Sequence, residues 1–325
     1  MFTEKTVFIL GAGASKPYGF PTGQKLVETI LEEAKKPEEA HWLLKGSVSI
    51  FSAEERKSLD KLLKSFETFE GSIDNWLAKN PGCQAAGKHL ITRVIAQCET
   101  PGSLHRNAGG GCYSILWEYL INSVKNDFQK IGESSADFVT FNYDRSLEQT
   151  FYEKARSDHP DLDEESLVKA IQQITVVHLH GQIGRLPWRT AVAFEEKLEE
   201  LPHDGGRDAS VGKLRSCSNG IVLAGDAEDL SGSYKMARTL LGQAAVVHFI
   251  GFGFDEENMR RLLGGVKWRP QVRLSATVYG LGRPQIEELR YPGNIIGRKI
   301  NDVVDVLANE YCRNYVAGHR RQMRV

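Results

Sequence analysis

No apolar run in this chain approaches the roughly 20 residues that a helix needs to cross a bilayer, and its first residues show no leader pattern. Charge of one sign is equally scarce. Lys and Arg number 41 against 42 Asp and Glu, a formal net charge of −1, so the basic excess that usually marks nucleic-acid binding is missing. Cysteine is thin and scattered: Cys83, Cys98, Cys112, Cys217 and Cys312 form no C-x-x-C pair. Neither a zinc ribbon nor a disulfide framework is written in that spacing, and the five read as small buried thiols. These absences set the expectation of a cytoplasmic protein with no membrane contact, no metal and no direct nucleic-acid binding.

What remains is an ordinary globular composition. The chain has 325 residues, 41% hydrophobic and 26% charged, enough for one large α/β domain or two smaller ones. Val7 to Leu10 is a short apolar strand, followed by the small-residue turn Gly11-Ala12-Gly13-Ala14-Ser15. Thr22 is placed to cap an amphipathic helix running to about Ala34. Strand, glycine turn and helix make the first half of a nucleotide-binding βα unit. Between 37 and 130, apolar residues recur at three- and four-residue spacings in four segments with no strand among them. That predicts a helical insertion between the first and second strands.

Further strands are expected at 137–142, 174–179, 220–225, 246–251 and 272–279. Helices are expected near 145–156, 163–173, 231–243, 255–264 and 284–290, with a last one from Asp302 to about Val316. The apolar strands lack strict alternation, as when helices cover both faces of a parallel sheet. The prediction is a doubly wound, mostly parallel, Rossmann-like α/β fold over residues 1–325 as a single domain. The stretch 201–220 is polar and glycine-rich and predicts a mobile surface loop, while 317–325 predicts a flexible basic tail.

Four stretches carry chemistry. In "GAGAS" glycines let a backbone approach a diphosphate and a helix N-terminus offers unpaired amides, although Gly and Ala turns also serve packing alone. "FVTFNYD" ends a strand in Asn142, Tyr143 and Asp144, where open α/β sheets bind ligands; Asp144 is equally a candidate helix cap. "VVHLHG" places His180 at a strand end, where a neutral imidazole can take a proton near pH 7. His178 shares its strand face, which admits half of a metal site but favours a packed residue. "FIGFGFDEEN" offers Gly251, Gly253, Asp255 and Asn258 as a second phosphate or ribose surface, or as a glycine hinge and an Asp cap.

Taken in order, "GAGAS" with "GFPTG", "TFNYD", "HLHG" and "GFGFDEEN" resemble the sirtuins, the silent-information-regulator-two superfamily. The chain looks most like the bacterial sirtuin-like branch of antiphage defence, over roughly residues 5 to 280. The resemblance implies that Ala12, Gly13 and Ser15 meet the pyrophosphate of NAD+, with Gly11, Pro21 and Thr22 beside them. It implies that Asn142 orients the ribose and the nucleophile and that Asp144 holds the nicotinamide carboxamide. His180 would be the catalytic base, and Gly251, Gly253 and Asp255 would face the adenosine side. The four-cysteine module of sirtuin deacylases is missing, and "FPTGQK" lacks the Arg that follows their first-loop proline. Both departures point to hydrolysis of NAD+ into ADP-ribose and nicotinamide in abortive infection. The alternatives are a non-catalytic sensor of NAD+ or ADP-ribose, a protein deacylase, or an ADP-ribosyltransferase. Because loss of NAD+ is toxic, control by homo-oligomer assembly or by an operon-encoded ATPase or other defence partner is expected.

Overall fold

The computed structural model describes residues 4–36, 51–69, 71–100, 102–104, 111–189, 198–223, 232–291 and 300–316. Its strands are β1 (Thr6–Leu10), β2 (Ala136–Thr140), β3 (Val176–His178), β4 (Val246–Ile250), β5 (Arg273–Thr277) and β6 (Asp302–Val304). They form one sheet in the order β3-β2-β1-β4-β5-β6, and every neighbouring pair is parallel. Parallel neighbours require crossover connections, which here are helical and cover both faces. The expected doubly wound, Rossmann-like α/β fold is therefore the fold observed.

Strand β1 explains why its sequence shows no polar alternation. All five of its residues are buried, with Phe8 and Leu10 packed into one core and Val7 and Ile9 into the other. Between β1 and β2 the chain forms α1 (Gly23–Ala34), α2 (Ala53–Phe66), α3 (Ile73–Lys79), α4 (Gln84–Cys98) and α5 (Cys112–Ser123). Helix α2 opens with a capping box, the Ser52 hydroxyl accepting from Glu55 N and the Glu55 carboxylate from Ser52 N. Helix α4 is buried on nearly every side, from Ala86 to Ala96, and lies at the centre of the first core. Burial there drives the His89 pKa down to about 3. Thr22 does stand at the start of α1, but its side chain makes no capping bond.

After β2 come α6 (Ser146–Asp158) and α7 (Glu164–Ile171), and after β3 come α8 (Val211–Cys217) and α9 (Ser233–Gln243). Helix α10 (Glu256–Leu263) follows β4, α11 (Arg283–Leu289) follows β5, and the short α12 (Ala308–Tyr311) follows β6. All five cysteines are free thiols, four of them buried. Among the described residues no helix is long and apolar enough to cross a membrane.

Three expectations are corrected. The apolar run at 220–225 is not a strand over its described residues: Ile221 makes one isolated antiparallel bridge to Gly181. Ile221 and Leu223 instead fill the first core, which a short apolar run does as readily as pairing in a sheet. Residues 302–316 are not one helix, since β6 takes the first three and pairs Asp302 with Ser275. An edge strand that short and only half-buried leaves no period to read. The polar stretch 201–220 is not a mobile loop. It contains α8, and Leu201, His203, Leu214 and Cys217 are buried. Residues 37–50, most of the loop at 100–112, residues 224 and 225, and the tail at 317–325 lie outside the described residues.

Candidate active site

A cleft of about 190 Å³ opens at the carboxyl end of the sheet, where the strand order reverses between β1 and β4. Reversal points are where open α/β sheets accept ligands. Of the residues singled out above, Gly11, Ala12, Ser15, Pro21, Asn142, Tyr143, Asp144, His180, Gly253, Asp255 and Asn258 line it. Gly13, Thr22 and Gly251 are not among the lining residues.

Register brings the two principal side chains together. Thr140 of β2 pairs with His178 of β3, so Asn142 and His180 each stand two residues past a matched pair. The Asn142 amide nitrogen donates to Gly11 O at 3.0 Å and to Ser15 Oγ at 2.9 Å. Ser15 Oγ donates to Asp144 Oδ2 at 2.7 Å. A hydroxyl has one proton, so the Tyr113 phenol, 2.6 Å away, must be the donor to Ser15. Asp144 Oδ1 accepts from Ser146 N at 3.1 Å, at the first turn of α6. Asp144 therefore performs the loop chemistry of a helix start and also lines the cleft. Burial pushes its carboxyl pKa up, against the bonds from Ser15 and Ser146.

The glycine turn offers less to an anion than its sequence suggests. Gly11 N donates to Ile250 O, Gly13 N to Gly251 O and Ala14 N to Gly11 O, and the helical turn Ala12–Ser15 has only four residues. These glycines instead let β1 and β4 meet backbone to backbone. Gly251 has a φ of +61°, and a Cβ on it would stand 2.1 Å from Ala14 N. Gly251→Ala should cost more than about 2 kcal/mol, combining the left-handed penalty with that overlap. Urea unfolding measures it; a loss under 0.5 kcal/mol, the scatter of ordinary surface substitutions, contradicts this account of the floor.

His180 is buried, with Phe141 edge-on at 5.1 Å. Its Nδ1 lies 3.6 Å from Asp74 Oδ2, and its Nε2 has no partner among the described residues. Burial holds its pKa below 6.5, Asp74 and Asp255 opposing and Arg261 assisting that shift. The imidazole is therefore neutral at pH 7. The Asn258 carboxamide approaches it without closing a hydrogen bond, since Asn258 Oδ1 also lacks a partner.

Sequence reasoning missed Asp74 and Phe252 as cleft residues. "SIDNWLAKN" reads only as a helix, and nothing local says which strand end it will face. Asn75 Nδ2, next along α3, donates to both oxygens of Asp255 at 3.2 Å. Asp255 in turn caps α10 by accepting from Asn258 N. Four lining residues, Asp74, Tyr143, His180 and Asn258, each carry a buried polar atom with no hydrogen bond among the described residues. Each such atom costs about 1–3 kcal/mol, so their convergence on one cleft marks a place for a polar ligand.

His178 is a packed residue. Its Nδ1 is 3.0 Å from Asn142 O and its Nε2 is 2.7 Å from Glu148 Oε1, which leaves neither nitrogen for a metal. Among the described residues no group of three or more His, Cys, Asp or Glu is placed to hold one. Burial alone would raise the Glu148 carboxyl, but the charge and hydrogen bond of His178, with Arg189, lower it to about 2. Burial would lower His178, but Glu148 and the Asn142 carbonyl hold it above 6.5. The Glu148 contribution is therefore present above an ordinary carboxyl pKa of 4.5 and lost as pH falls toward about 2. The His178 contribution is present below 6.5 and lost at more alkaline pH. Glu148→Gln should lose most stability relative to wild type between pH 4.5 and 6.5. That gap should shrink toward pH 2, as urea unfolding at stepped pH will read; a gap independent of pH contradicts the pairing.

Comparison with curated proteins returned no match. The family model of the SIR2-like domain matches residues 136–272, from the start of β2 to just before β5, a span that holds Asn142, Asp144, His180 and Asp255. SIR2-like domains bind NAD+ and are commonly NAD-using enzymes, so the similarity of this span to them supports an NAD-related activity.

Proposed function

We propose that this chain hydrolyses NAD+ at the bond between nicotinamide and ribose, releasing nicotinamide and ADP-ribose. The observation that carries the proposal is the meeting of Asn142 and His180 in one cleft with the glycine turn, amid buried polar atoms that lack partners among the described residues. Breaking an N-glycosidic bond builds positive charge on the sugar, and nicotinamide departs neutral. The protein's tasks are to hold the sugar, shield it and deliver a water.

The residues suit those tasks. His180 is neutral, and its bare Nε2 can take a proton from the water or from a sugar hydroxyl. The NH₂ group of Asn142 is committed to Gly11 and Ser15, so its carboxamide oxygen is the atom left to orient a hydroxyl or the water. Asp144 accepts from Ser15 and Ser146, and a carboxylate has about four acceptor positions. It retains capacity for the NH₂ of a departing carboxamide. Asp74, Asp144 and Asp255 give the cleft three carboxylates and no Lys or Arg among its lining residues, which suits a cationic fragment.

The family resemblance extends the proposal to a cytoplasmic antiphage effector, held in check by self-assembly or by a partner such as an operon-encoded ATPase. The test incubates the purified chain with NAD+ and follows nicotinamide and ADP-ribose together. Equal release of both supports hydrolysis. Binding without release favours the sensor, and release that depends on an acyl-lysine or protein acceptor favours transfer. Full activity in an isolated monomer would remove the control element.

A further inference from the structure

We infer that Asp74, carried on the inserted helix α3, is a positioning residue for His180: it engages Nδ1 and so fixes the tautomer that leaves Nε2 bare for the reaction. The inference rests on the hydrolase proposal for its chemistry but on the geometry of the pair for its structure. His180 Nδ1 and Asp74 Oδ2 are 3.6 Å apart, and Nε2 is the nitrogen with no partner among the described residues. A base works with its free nitrogen unprotonated and its other nitrogen held as N–H by an oriented acceptor. Such contacts are often long without substrate and tighten in the complex.

Asp74 is held in place on several sides. Ser72 Oγ donates to Asp74 Oδ2 at 3.2 Å. Ile73 and Leu77 are buried, and Leu77 lies so close to Gly87 of α4 that a Cβ there would be 2.4 Å from Leu77 Cδ2. Asn75 ties the same helix to Asp255 on the far rim. Helix α3 thus bridges two strand-end loops, and the insertion completes the site rather than decorating the sheet. During reaction the bond from the sugar carbon to nicotinamide breaks, its electron pair leaving on the ring nitrogen of the neutral nicotinamide. The water oxygen bonds to that carbon, its proton moves to Nε2, and the Asp74 carboxylate offsets the charge of the resulting imidazolium.

The charged and titratable groups facing His180 are Asp74 from α3, Tyr143 from the end of β2 with its ring 6.2 Å away, Asp255 from the loop after β4 and Arg261 from α10, with Asn258 beside them. Arg261 also lies over the Tyr234 ring at 4.7 Å. Removing the Asp74 charge withdraws support for the imidazolium, so the midpoint of the acid limb must move to lower pH. A purely structural role for Asp74 lowers rate or stability and leaves that midpoint where it was.

The experiment uses the full chain with ¹⁵N-labelled histidine, His180→Ala identifying the resonance. The neutral wild-type imidazole is expected as the Nδ1–H tautomer. In Asp74→Asn its titration and the acid limb of nicotinamide release both shift to lower pH, with kcat reduced about 10²-fold, the scale of a misplaced catalytic group. An Nε2–H tautomer in the wild type, or an unmoved midpoint in Asp74→Asn, overturns the inference. If Asp74→Asn does not fold, the wild-type tautomer alone decides. If the wild type releases no nicotinamide the hydrolase proposal fails, while the tautomer and the titration still judge the Asp74–His180 pair.

Discussion

His180→Ala is expected to lower nicotinamide release by about 10²–10⁴-fold, the worth of a positioned base, while leaving the fold intact. Those two effects separate because of how the imidazole is held. Its Nε2 is buried without a hydrogen bond, and its contact with Asp74 is long. Truncation relieves an unsatisfied polar atom while giving up ring packing and one long contact to Asp74, opposing effects that should leave the thermal midpoint close to wild type. Asn142→Ala is the contrasting case. It deprives Gly11 O and Ser15 Oγ of a donor, so the rate should fall by a comparable factor and the stability should fall as well. Groups that act as a unit are not additive, and the double substitution should be little slower than the worse single. Release rates from substrate-saturated assays, read beside melting curves, check all three. Activity surviving both single substitutions removes the assignment, and an H180A chain that melts far below wild type contradicts the account of its packing.

Glu99→Gln is expected to cost about 3–5 kcal/mol, the usual penalty for breaking a buried ion pair by removing one partner. Arg145 and Glu99 are 0% and 1% exposed. The guanidinium donates to both Glu99 oxygens and to the carbonyl of Leu201, and Arg145 N donates to Glu99 Oε1 at 3.0 Å. Neutralising Glu99 leaves the Arg145 cation buried without a counter-charge. Arg145 immediately follows Asp144, so the loss should also loosen the strand end that carries Asn142 and free the turn at Leu201. Urea unfolding measures it as a lowered midpoint at unchanged m. A change under 1 kcal/mol puts this pair with surface ion pairs and contradicts its role.

The sequence made β1, β2 and β4 legible because each is a fully buried segment dominated by aliphatic and aromatic residues. Asn142 and His180 could be found for a related reason: polar side chains at the end of such runs stand out against them. Signals that depend on distant partners stayed hidden. Asp74 looks like any acidic residue in the first turn of a helix, and only the packing of α3 against the strand ends gives it His180. Arg145 looks like a surface residue until Glu99 and Leu201 close over it. The glycine turn misled in the opposite direction. Its amides were expected to be open to a phosphate, yet Gly11 and Gly13 direct theirs at Ile250 and Gly251.

Main chain touches main chain where the turn after Leu10 lies on Gly251, and no side chain fits between them. That contact has almost no tolerance for sequence drift, whereas the rim is built from helices joined by longer connections. Proteins that share this floor are free to diverge in what they admit only by rebuilding the rim. Differences in α3 and its neighbours are therefore where changes of ligand preference should be sought when such sequences are compared.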